Sequence, residues 1–428
     1  MGLLRAGAVF VAAFASVLYC LNSCREYVQD ACGNAAPTVA GSLPSHPFKC
    51  GWQRVRGDVF AYLQPAGSWC WSNAGFVAGT VSAQEGGLLI DTLTDPVLTQ
   101  KMLNSLPGSL SGAKLNSNVS AVVYTHPDID HVLGAQAVLA LNPAAQHLGH
   151  IDSHGEILAQ FKTMKGLVIM TSVGHWLWRC FELPPMAWLW RSLRGTPAWR
   201  MLRVVVGWAR MQFLMGRFSF HAVDQTTKGL THQLSGDIGA DVDLEGQRIL
   251  VDAGAQFHYL GKIHSKSDSV ILLLKEKVCF TGDLLFLSVA PVMWSGPAQA
   301  WVAALDRLLE MTSNGDGWLF VPGHGPVTDA NGVRLVRDFF QYLHDAVEDG
   351  QDCDRGLDEA RDAVCAQAVL QQMPLRLRDA FAEPQRIVID VHIERRARRN
   401  NFHPVSVDLV TKALFLVEQG AHLVDAMI

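Results

Sequence analysis

Four side chains that can bind a metal ion lie close together in one short segment. His126, Asp128, Asp130 and His131 follow residues 121–124, a β-branched and aromatic run that predicts a buried strand. Two carboxylates and two imidazoles in so short a loop would repel one another, or leave hydrogen-bonding groups unused, unless a cation organised them. The alternative is an ordinary strand-to-helix loop in which an aspartate caps the next helix. We therefore expect a metal site at this strand end.

Three later segments each place one further potential ligand near a predicted strand. They are residues 261–268 with His264, residues 280–286 with Asp283 and residues 321–327 with His324. Imidazole and carboxylate groups suit borderline metals such as Zn²⁺, and strand-end loops hold them rigidly while a coordination position stays open for water. Each segment alone is a weak signal, so their order along the chain matters more than any one of them.

In their order and spacing, the four segments resemble the metal motifs of the metallo-β-lactamase-fold hydrolases. The resemblance covers about residues 58–345 and implies an α/β fold, an αββα sandwich with a binuclear metal site at one edge. It implies a first metal held by His126, Asp128 and His264, a second held by Asp130, His131 and His324, and Asp283 bridging the two. It also implies proton transfer by Asp130 and supporting positions behind the ligands for Asp91, Asn73 and Asp268.

One position departs from the family pattern. The first motif of the family reads His-x-His-x-Asp-His, whereas this chain has Asp128 in place of the second histidine. The additional carboxylate shifts the metal preference toward harder ions. We expect two divalent ions, with Zn²⁺ first and Mn²⁺ or Fe²⁺ as alternatives, although an empty first site would leave one metal. Residues 61–77, 294–311 and 321–333 also resemble a poorly characterised bacterial-type branch that lacks this histidine.

The function that the resemblance implies is hydrolysis by a metal-activated water. The scissile bond would be an ester, thioester, lactone or amide, and Zn²⁺-type ions would stabilise the oxyanion that forms. Two alternatives remain, a di-iron oxidoreductase of the same fold and a non-catalytic binding protein with a degenerate metal site. A serine hydrolase or a nucleotide enzyme is disfavoured because the sequence has no Gly-x-Ser-x-Gly elbow and no phosphate-binding glycine loop.

Composition divides the chain into four parts. Residues 1–22 contain an uncharged apolar run that predicts a signal peptide or signal anchor, hence a secreted or membrane-anchored protein, with a buried core helix as the alternative. Residues 23–57 read as a linker, 58–349 as the metal-binding domain and 350–428 as a helical C-terminal extension. The net charge of −5 is mild, so no nucleic-acid partner is expected.

A segment rich in tryptophan and arginine, residues 161–220, interrupts the predicted domain. Aromatic and basic residues on helices are typical of a membrane-interface element, of a lid over an apolar pocket, or of a helical subdomain whose tryptophans form a core. We interpret this segment as a helical insert. It favours a small, lipophilic substrate and predicts membrane association through the insert and the N-terminus.

Overall fold

Two β-sheets pack face to face, and helices cover both outer faces. The computed structural model describes residues 48–64, 72–81, 84–94, 96–106, 119–166, 192–193, 196, 230–235, 244–349, 358–382 and 386–406. Within these residues the layers follow the order helix, sheet, sheet, helix. The predicted αββα sandwich is therefore confirmed.

The first sheet is built from the N-terminal half of the chain. Its seven strands within the described residues are β1 (Gly51–Arg56), β2 (Val59–Leu63), β3 (Ala74–Val77), β6 (Gly87–Ile90), β7 (Val119–Val123), β8 (Gln146–His150) and β9 (His232–Leu234). Two further strands, β4 (Thr80–Val81) and β5 (Gln84–Glu85), form a separate hairpin between β3 and β6. The sheet order is β1-β2-β3-β6-β7-β8-β9. The pairs from β1 to β6 are antiparallel, and those from β6 to β9 are parallel.

The second sheet contains four strands in the order β10-β11-β12-β15. The remaining strands are β10 (Ala255–Gly261), β11 (Asp268–Leu273), β12 (Val278–Phe286), β13 (Ser288–Val289), β14 (Ser295–Gly296), β15 (Leu319–His324), β16 (Phe381–Ala382) and β17 (Val405–Ser406). Strand β12 is buried along its whole length, as expected of a strand covered on both faces. The short pairs β13-β16 and β14-β17 join this half to the C-terminal segment.

The helices lie on the two outer faces. They are α1 (Pro96–Asn104), α2 (Ile129–Val132), α3 (Ala135–Leu141), α4 (Ile151–Gly166), α5 (Leu244–Asp252), α6 (Ala298–Met311), α7 (Ala330–Asp349), α8 (Asp358–Gln372), α9 (Leu375–Arg378) and α10 (Ile387–Arg399). In α6 the buried residues Trp301, Ala304, Leu305 and Leu308 recur at helical spacing, which gives the helix one apolar face. That face packs on the second sheet.

The parallel strand pairs explain where the functional side chains meet. Parallel strands end at the same edge of a sheet, and ligands of α/β proteins bind at the carboxyl ends of such strands. Asp91 follows β6 and His126 follows its parallel neighbour β7, while Asp283 lies near the end of β12 and His324 ends the parallel strand β15. One edge of the sandwich therefore collects ligands from both sheets.

Several expectations about the chain termini change. Strand β1 lies inside the segment expected to be a linker, because it pairs with β2 along its length. The extension after residue 350 contains helices α8 to α10, and it also contributes the strands β16 and β17. Apart from residues 161–166 of α4 and residues 192–193 and 196, the predicted Trp/Arg-rich insert lies outside the described residues.

The structure corrects the prediction that the protein is secreted or membrane-anchored. Among the residues that the structure describes, no helix is long and apolar enough to cross a membrane. Residues 1–22, on which that prediction depended, lie outside the described residues.

The two sheets approach each other closely at Gly75 on β3. A Cβ atom at this position would overlap the ring of Phe280 on β12. We expect Gly75→Ala to lower the free energy of unfolding by about 1–3 kcal/mol, because the packed interior cannot absorb the additional carbon. Thermal or denaturant unfolding measures the change.

Gly155→Ala is the matched control for this substitution. Gly155 lies in α4, where an added Cβ meets no atom within 4 Å. This variant should be neutral or stabilised by about 1 kcal/mol through helix propensity. Equal stabilities of the two variants would contradict the close approach of the sheets.

Candidate metal centre

The seven predicted ligands converge in two groups that share Asp283. The first group is His126, Asp128, His264 and Asp283, and the second is Asp130, His131, Asp283 and His324. Within each group, the potential ligand atoms all lie within 4.8 Å of one another. The structure thus brings together the same residues that the resemblance pairs, and metal binding by them remains a prediction.

The carboxylate of Asp283 faces four imidazoles. Its Oδ2 lies 3.2 Å from Nε2 of His264, 3.1 Å from Nε2 of His324 and 3.7 Å from Nε2 of His126. Its Oδ1 lies 3.1 Å from Nε2 of His131. All five side chains are buried. A central carboxylate ringed by imidazole nitrogens is the arrangement that would bridge two cations.

Three buried polar atoms at the centre of this cluster have no hydrogen-bond partner. They are Nε2 of His126, Nε2 of His131 and Oδ1 of Asp283. The last two lie close together but lack hydrogen-bond geometry. Leaving buried polar atoms unsatisfied costs about 1–3 kcal/mol each, so such atoms usually have a partner. Cations held by the two ligand groups would satisfy all three atoms, and the donor set therefore fits divalent metal ions.

The charges of the cluster are strongly coupled. Burial alone would lower the pKa of His131, but the carboxylates of Asp283, Asp130 and Asp91 outweigh burial and raise it well above its usual value. The pKa of His264 is also raised well above its usual value, since hydrogen bonds to Asp128 and Asp283 outweigh the effect of burial. Protons on these imidazoles therefore neutralise the carboxylates in the metal-free protein, and metal ions would replace them.

The two central carboxyl groups shift in opposite directions. Burial would raise the pKa of Asp283, but His324, His131 and His126 outweigh it and hold that pKa well below its usual value. The pKa of Asp130 is raised, chiefly by burial. Two neighbouring carboxyl groups with pKa values driven apart suit different roles, one as a permanent anion and one as a proton carrier.

Asp91 orients one histidine of each group. It follows β6 with a φ of 58°, and its Oδ2 accepts hydrogen bonds from Nδ1 of His131 at 2.9 Å and from Oγ1 of Thr125 at 2.7 Å. Thr125 Oγ1 in turn accepts from Nδ1 of His126 at 3.0 Å. Both imidazoles therefore turn Nε2 toward the centre. Sequence reasoning missed Thr125, whose only signal is its place between β7 and a ligand.

Asn73 holds the turn that carries His324. Its backbone N–H donates to the carbonyl of Gly323 at 2.7 Å, and its Nδ2 donates to the carbonyls of Pro322 at 2.9 Å and Gly325 at 2.8 Å. These three contacts surround the histidine on both sides along the chain. The expectation that Asn73 supports the site from behind thus corresponds to a fixed backbone turn.

Two glycines are required beside the ligands. Gly282 has a φ of +51°, and a Cβ there would overlap Oγ1 of Thr125. A Cβ at Gly323 would overlap Oδ1 of Asp283. Only glycine lets the backbone of β12 and β15 come this close to the carboxylate and its supporting residues.

Asp268 shapes the loop around His264 without contacting an imidazole. Its Oδ2 accepts the backbone N–H groups of Ile263 at 2.8 Å and Ser265 at 3.0 Å, and its Oδ1 accepts the hydroxyl of Ser265 at 2.7 Å. His264 itself donates from Nδ1 to the carbonyl of Val292 at 2.8 Å. The supporting role of Asp268 remains a prediction, and the hydrogen bonds show that it would act through the backbone beside His264.

Comparison with known proteins identifies a related family. The sequence model of the metallo-beta-lactamase superfamily matches residues 68–324. No curated protein sequence is significantly similar to the chain. Three similar solved structures are metallo-β-lactamases from Hirschia baltica, from Erythrobacter litoralis with beta mercaptoethanol in the active site, and FIM-1 from Pseudomonas aeruginosa in the mono-zinc form.

The sequence identity between this chain and these structures is low. The Hirschia baltica enzyme has 12% identity over 68% of this chain and 96% of its own, with a TM-score of 0.42. The Erythrobacter litoralis enzyme has 13% identity over 68% and 95%, with a TM-score of 0.41. FIM-1 has 12% identity over 71% and 97%, with a TM-score of 0.40.

Removing the charge of Asp91 should weaken metal binding. We expect Asp91→Asn to lower the affinity for divalent ions about 10–100-fold, because His131 and Thr125 lose the carboxylate that orients them. Competition with a chromophoric chelator measures the affinity. Asp152→Asn, the same change at an exposed position of α4, should leave it unchanged. Equal affinities of the two variants would show that Asp91 does not support the metal ligands.

Proposed function

Because the chain belongs to the metallo-β-lactamase superfamily, we propose that it is a hydrolase that binds two divalent metal ions on either side of Asp283. The observation that carries the proposal is the convergence of four imidazoles and three carboxylates on a buried centre where three polar atoms have no hydrogen-bond partner. Zn²⁺ is the ion we expect first, with Mn²⁺ or Fe²⁺ as alternatives. The substrate would contain an ester, thioester, lactone or amide bond.

The chemistry that such ions supply is the ionisation of a water molecule near neutral pH and stabilisation of the oxyanion formed by its attack. The rest of the site must bind the carbonyl group, hold the ligands rigid and move one proton to the leaving group. The side chains of the site would perform these tasks. We assign proton transfer to Asp130 and binding of the first metal to Asp128, together with the other ligands.

Asp130 is placed to carry the proton. Its side chain is 16% exposed, more than that of any other ligand, so it lies on the open side of the centre. Its Oδ2 lies 3.5 Å from Nε2 of His324 and 3.8 Å from Nε2 of His131. Burial raises the pKa of its carboxyl group in the metal-free protein. We assign to it the transfer of a proton to the leaving group.

Asp128 makes the two ligand groups chemically alike. With it, each group contains two imidazoles and one carboxylate of its own, and both share Asp283. Asp128 Oδ2 lies 3.0 Å from Nε2 of His264, within the same close-packed set. An additional carboxylate weakens the Lewis acidity of the first metal and favours harder ions.

Restoring the family's imidazole should shift the metal preference. We expect Asp128→His to raise the selectivity for Zn²⁺ over Mn²⁺ by about tenfold, because imidazole is the softer ligand. Paired titrations of the metal-free protein with each ion measure the ratio. An unchanged ratio would mean that Asp128 does not ligate the first metal.

The hydrolase proposal is tested by metal content and turnover together. Protein purified without added metal should contain about two equivalents of Zn²⁺ or Mn²⁺, and a panel of esters, thioesters, lactones and amides should reveal turnover that a chelator abolishes and metal restores. His324→Ala should lose about one of the two metal equivalents and at least about 100-fold in turnover. His403→Ala, at an exposed histidine, should match the parent.

Three results would contradict the proposal. Tightly bound iron with oxygen consumption would favour the di-iron oxidoreductase, and a protein that refuses every metal would favour a binding protein. Equal turnover by the parent and His324→Ala would show that hydrolysis does not use this centre. Including substrates of increasing acyl length also tests the preference for lipophilic substrates, which turnover confined to small polar esters would contradict.

A further inference from the structure

The histidine His264 is connected to a buried carboxylate of the C-terminal extension through a single peptide group. Its Nδ1 donates to the carbonyl oxygen of Val292 at 2.8 Å. The N–H of Met293, which belongs to the same peptide group, donates to Oδ1 of Asp390 on α10 at 2.8 Å. All four residues are buried. The hydrogen bonds therefore run from the ligand to the peptide and from the peptide to the carboxyl group.

We propose that Asp390 is a positioning residue for the first metal, which it serves by fixing the peptide group that orients His264. This inference rests on the proposed function, because it assigns a role in the same metal centre. It extends that centre to the C-terminal extension, a part of the chain beyond the residues that the superfamily model matches.

Two other ligand histidines, His131 and His126, are likewise connected by hydrogen bonds to a buried carboxyl group. His131 reaches the carboxylate of Asp91 directly, and His126 reaches it through the hydroxyl of Thr125. Asp390 completes the pattern for His264, with a peptide group in the place of the hydroxyl. Hydrogen bonds to the far nitrogen of a ligand histidine fix its tautomer and ring orientation.

The environment of Asp390 indicates a positional role. Its side chain is fully buried, and its Oδ2 has no hydrogen-bond partner. Burying a carboxyl group in this way is unfavourable, so the contact to Met293 must do more than fill space. Burial raises the pKa of Asp390 to about 8. Oδ1 can accept the N–H of Met293 in either protonation state, so the contact persists through neutral pH.

Further contacts join the chain around Met293 to the C-terminal extension. Strand β14 pairs with β17, and the hydroxyl of Ser295 donates to the carbonyl of Val405 at 3.0 Å. The N–H of Ala298, at the start of α6, donates to Oε2 of Glu394 at 2.8 Å. Before Met293, strand β13 pairs with β16 of the same extension. The extension therefore fixes the path of the chain on both sides of Met293, and Asp390 binds the peptide group that contacts His264.

Glu394 provides a matched comparison for Asp390. It lies one turn further along α10, is equally buried and also accepts a backbone N–H of the same segment. The difference is that, within the described part of the chain, no hydrogen bond joins the peptide group bound by Glu394 to a ligand imidazole. A merely structural role predicts similar behaviour of the two carboxylates, whereas a positioning role predicts that only Asp390 affects the first metal.

The test measures metal affinity in two backgrounds of the full chain. His324→Ala impairs the second ligand group, and His264→Ala impairs the first. We expect Asp390→Ala to weaken Zn²⁺ binding about tenfold in the His324→Ala background and less than about twofold in the His264→Ala background. Asp390→Asn, which keeps an acceptor for Met293, should restore most of the affinity. Glu394→Ala should leave the affinity unchanged in both backgrounds.

Several outcomes would overturn the inference. These are an unchanged affinity in Asp390→Ala, an equal loss in both backgrounds, or an equal loss in Glu394→Ala. If Asp390→Ala does not fold, Asp390→Ser takes its place with the same expectations, because its shorter side chain cannot reach Met293. A parent that binds no metal would overturn the proposed function as well, whereas a parent that binds two ions without an effect of Asp390 overturns only this inference.

Discussion

The structure depends on keeping one carboxylate, that of Asp283, ionised in a buried place. Burial opposes its charge, and the imidazoles that face it provide the compensation. A carboxylate in this position needs positive partners on several sides, so ligands from different segments must converge on it. The long strand β12, the adjacent Gly282 and the close approach of Gly323 are the local features that make room for this convergence.

The sandwich supplies the convergence because both sheets end at one edge. Parallel pairing of β6 with β7 and of β12 with β15 brings strand ends from the two sheets together. Hydrogen bonds behind the imidazoles then fix their directions. Two of these paths end at Asp91, and one leads through a peptide group to Asp390. The first sheet and the C-terminal extension both contribute these contacts, and the supporting residues Asp91, Thr125 and Asp390 are all buried.

The ligand positions can be predicted from sequence because the information is local. The residue types and spacing around His126 are sufficient to indicate metal chemistry, whereas His264, Asp283 and His324 are assigned by the resemblance of their segments to the family motifs. The supporting positions of Asp91 and Asn73 are implied by the resemblance to the family. Thr125 escapes prediction because a threonine at a strand end has no distinctive signature.

Contacts between distant parts of the chain cannot be read from the sequence. Strand β1 directly follows a stretch rich in Gly, Pro and Ser, which predicts a linker, but it pairs with β2. Asp390 lies 97 residues from its hydrogen-bond partner Met293, in a helix whose sequence suggests only an amphipathic surface. Tertiary packing decides both cases, and local propensity carries little information about it.

The most direct test of the account is anomalous X-ray diffraction from crystals of protein purified without added metal. Data collected above the zinc edge, where manganese, iron and zinc all scatter anomalously, locate bound ions without assumptions about activity. The account predicts two peaks, one on each side of Asp283 and each within its own ligand group. A centre without anomalous scattering, in crystals soaked with Zn²⁺ or Mn²⁺ as well, would contradict it.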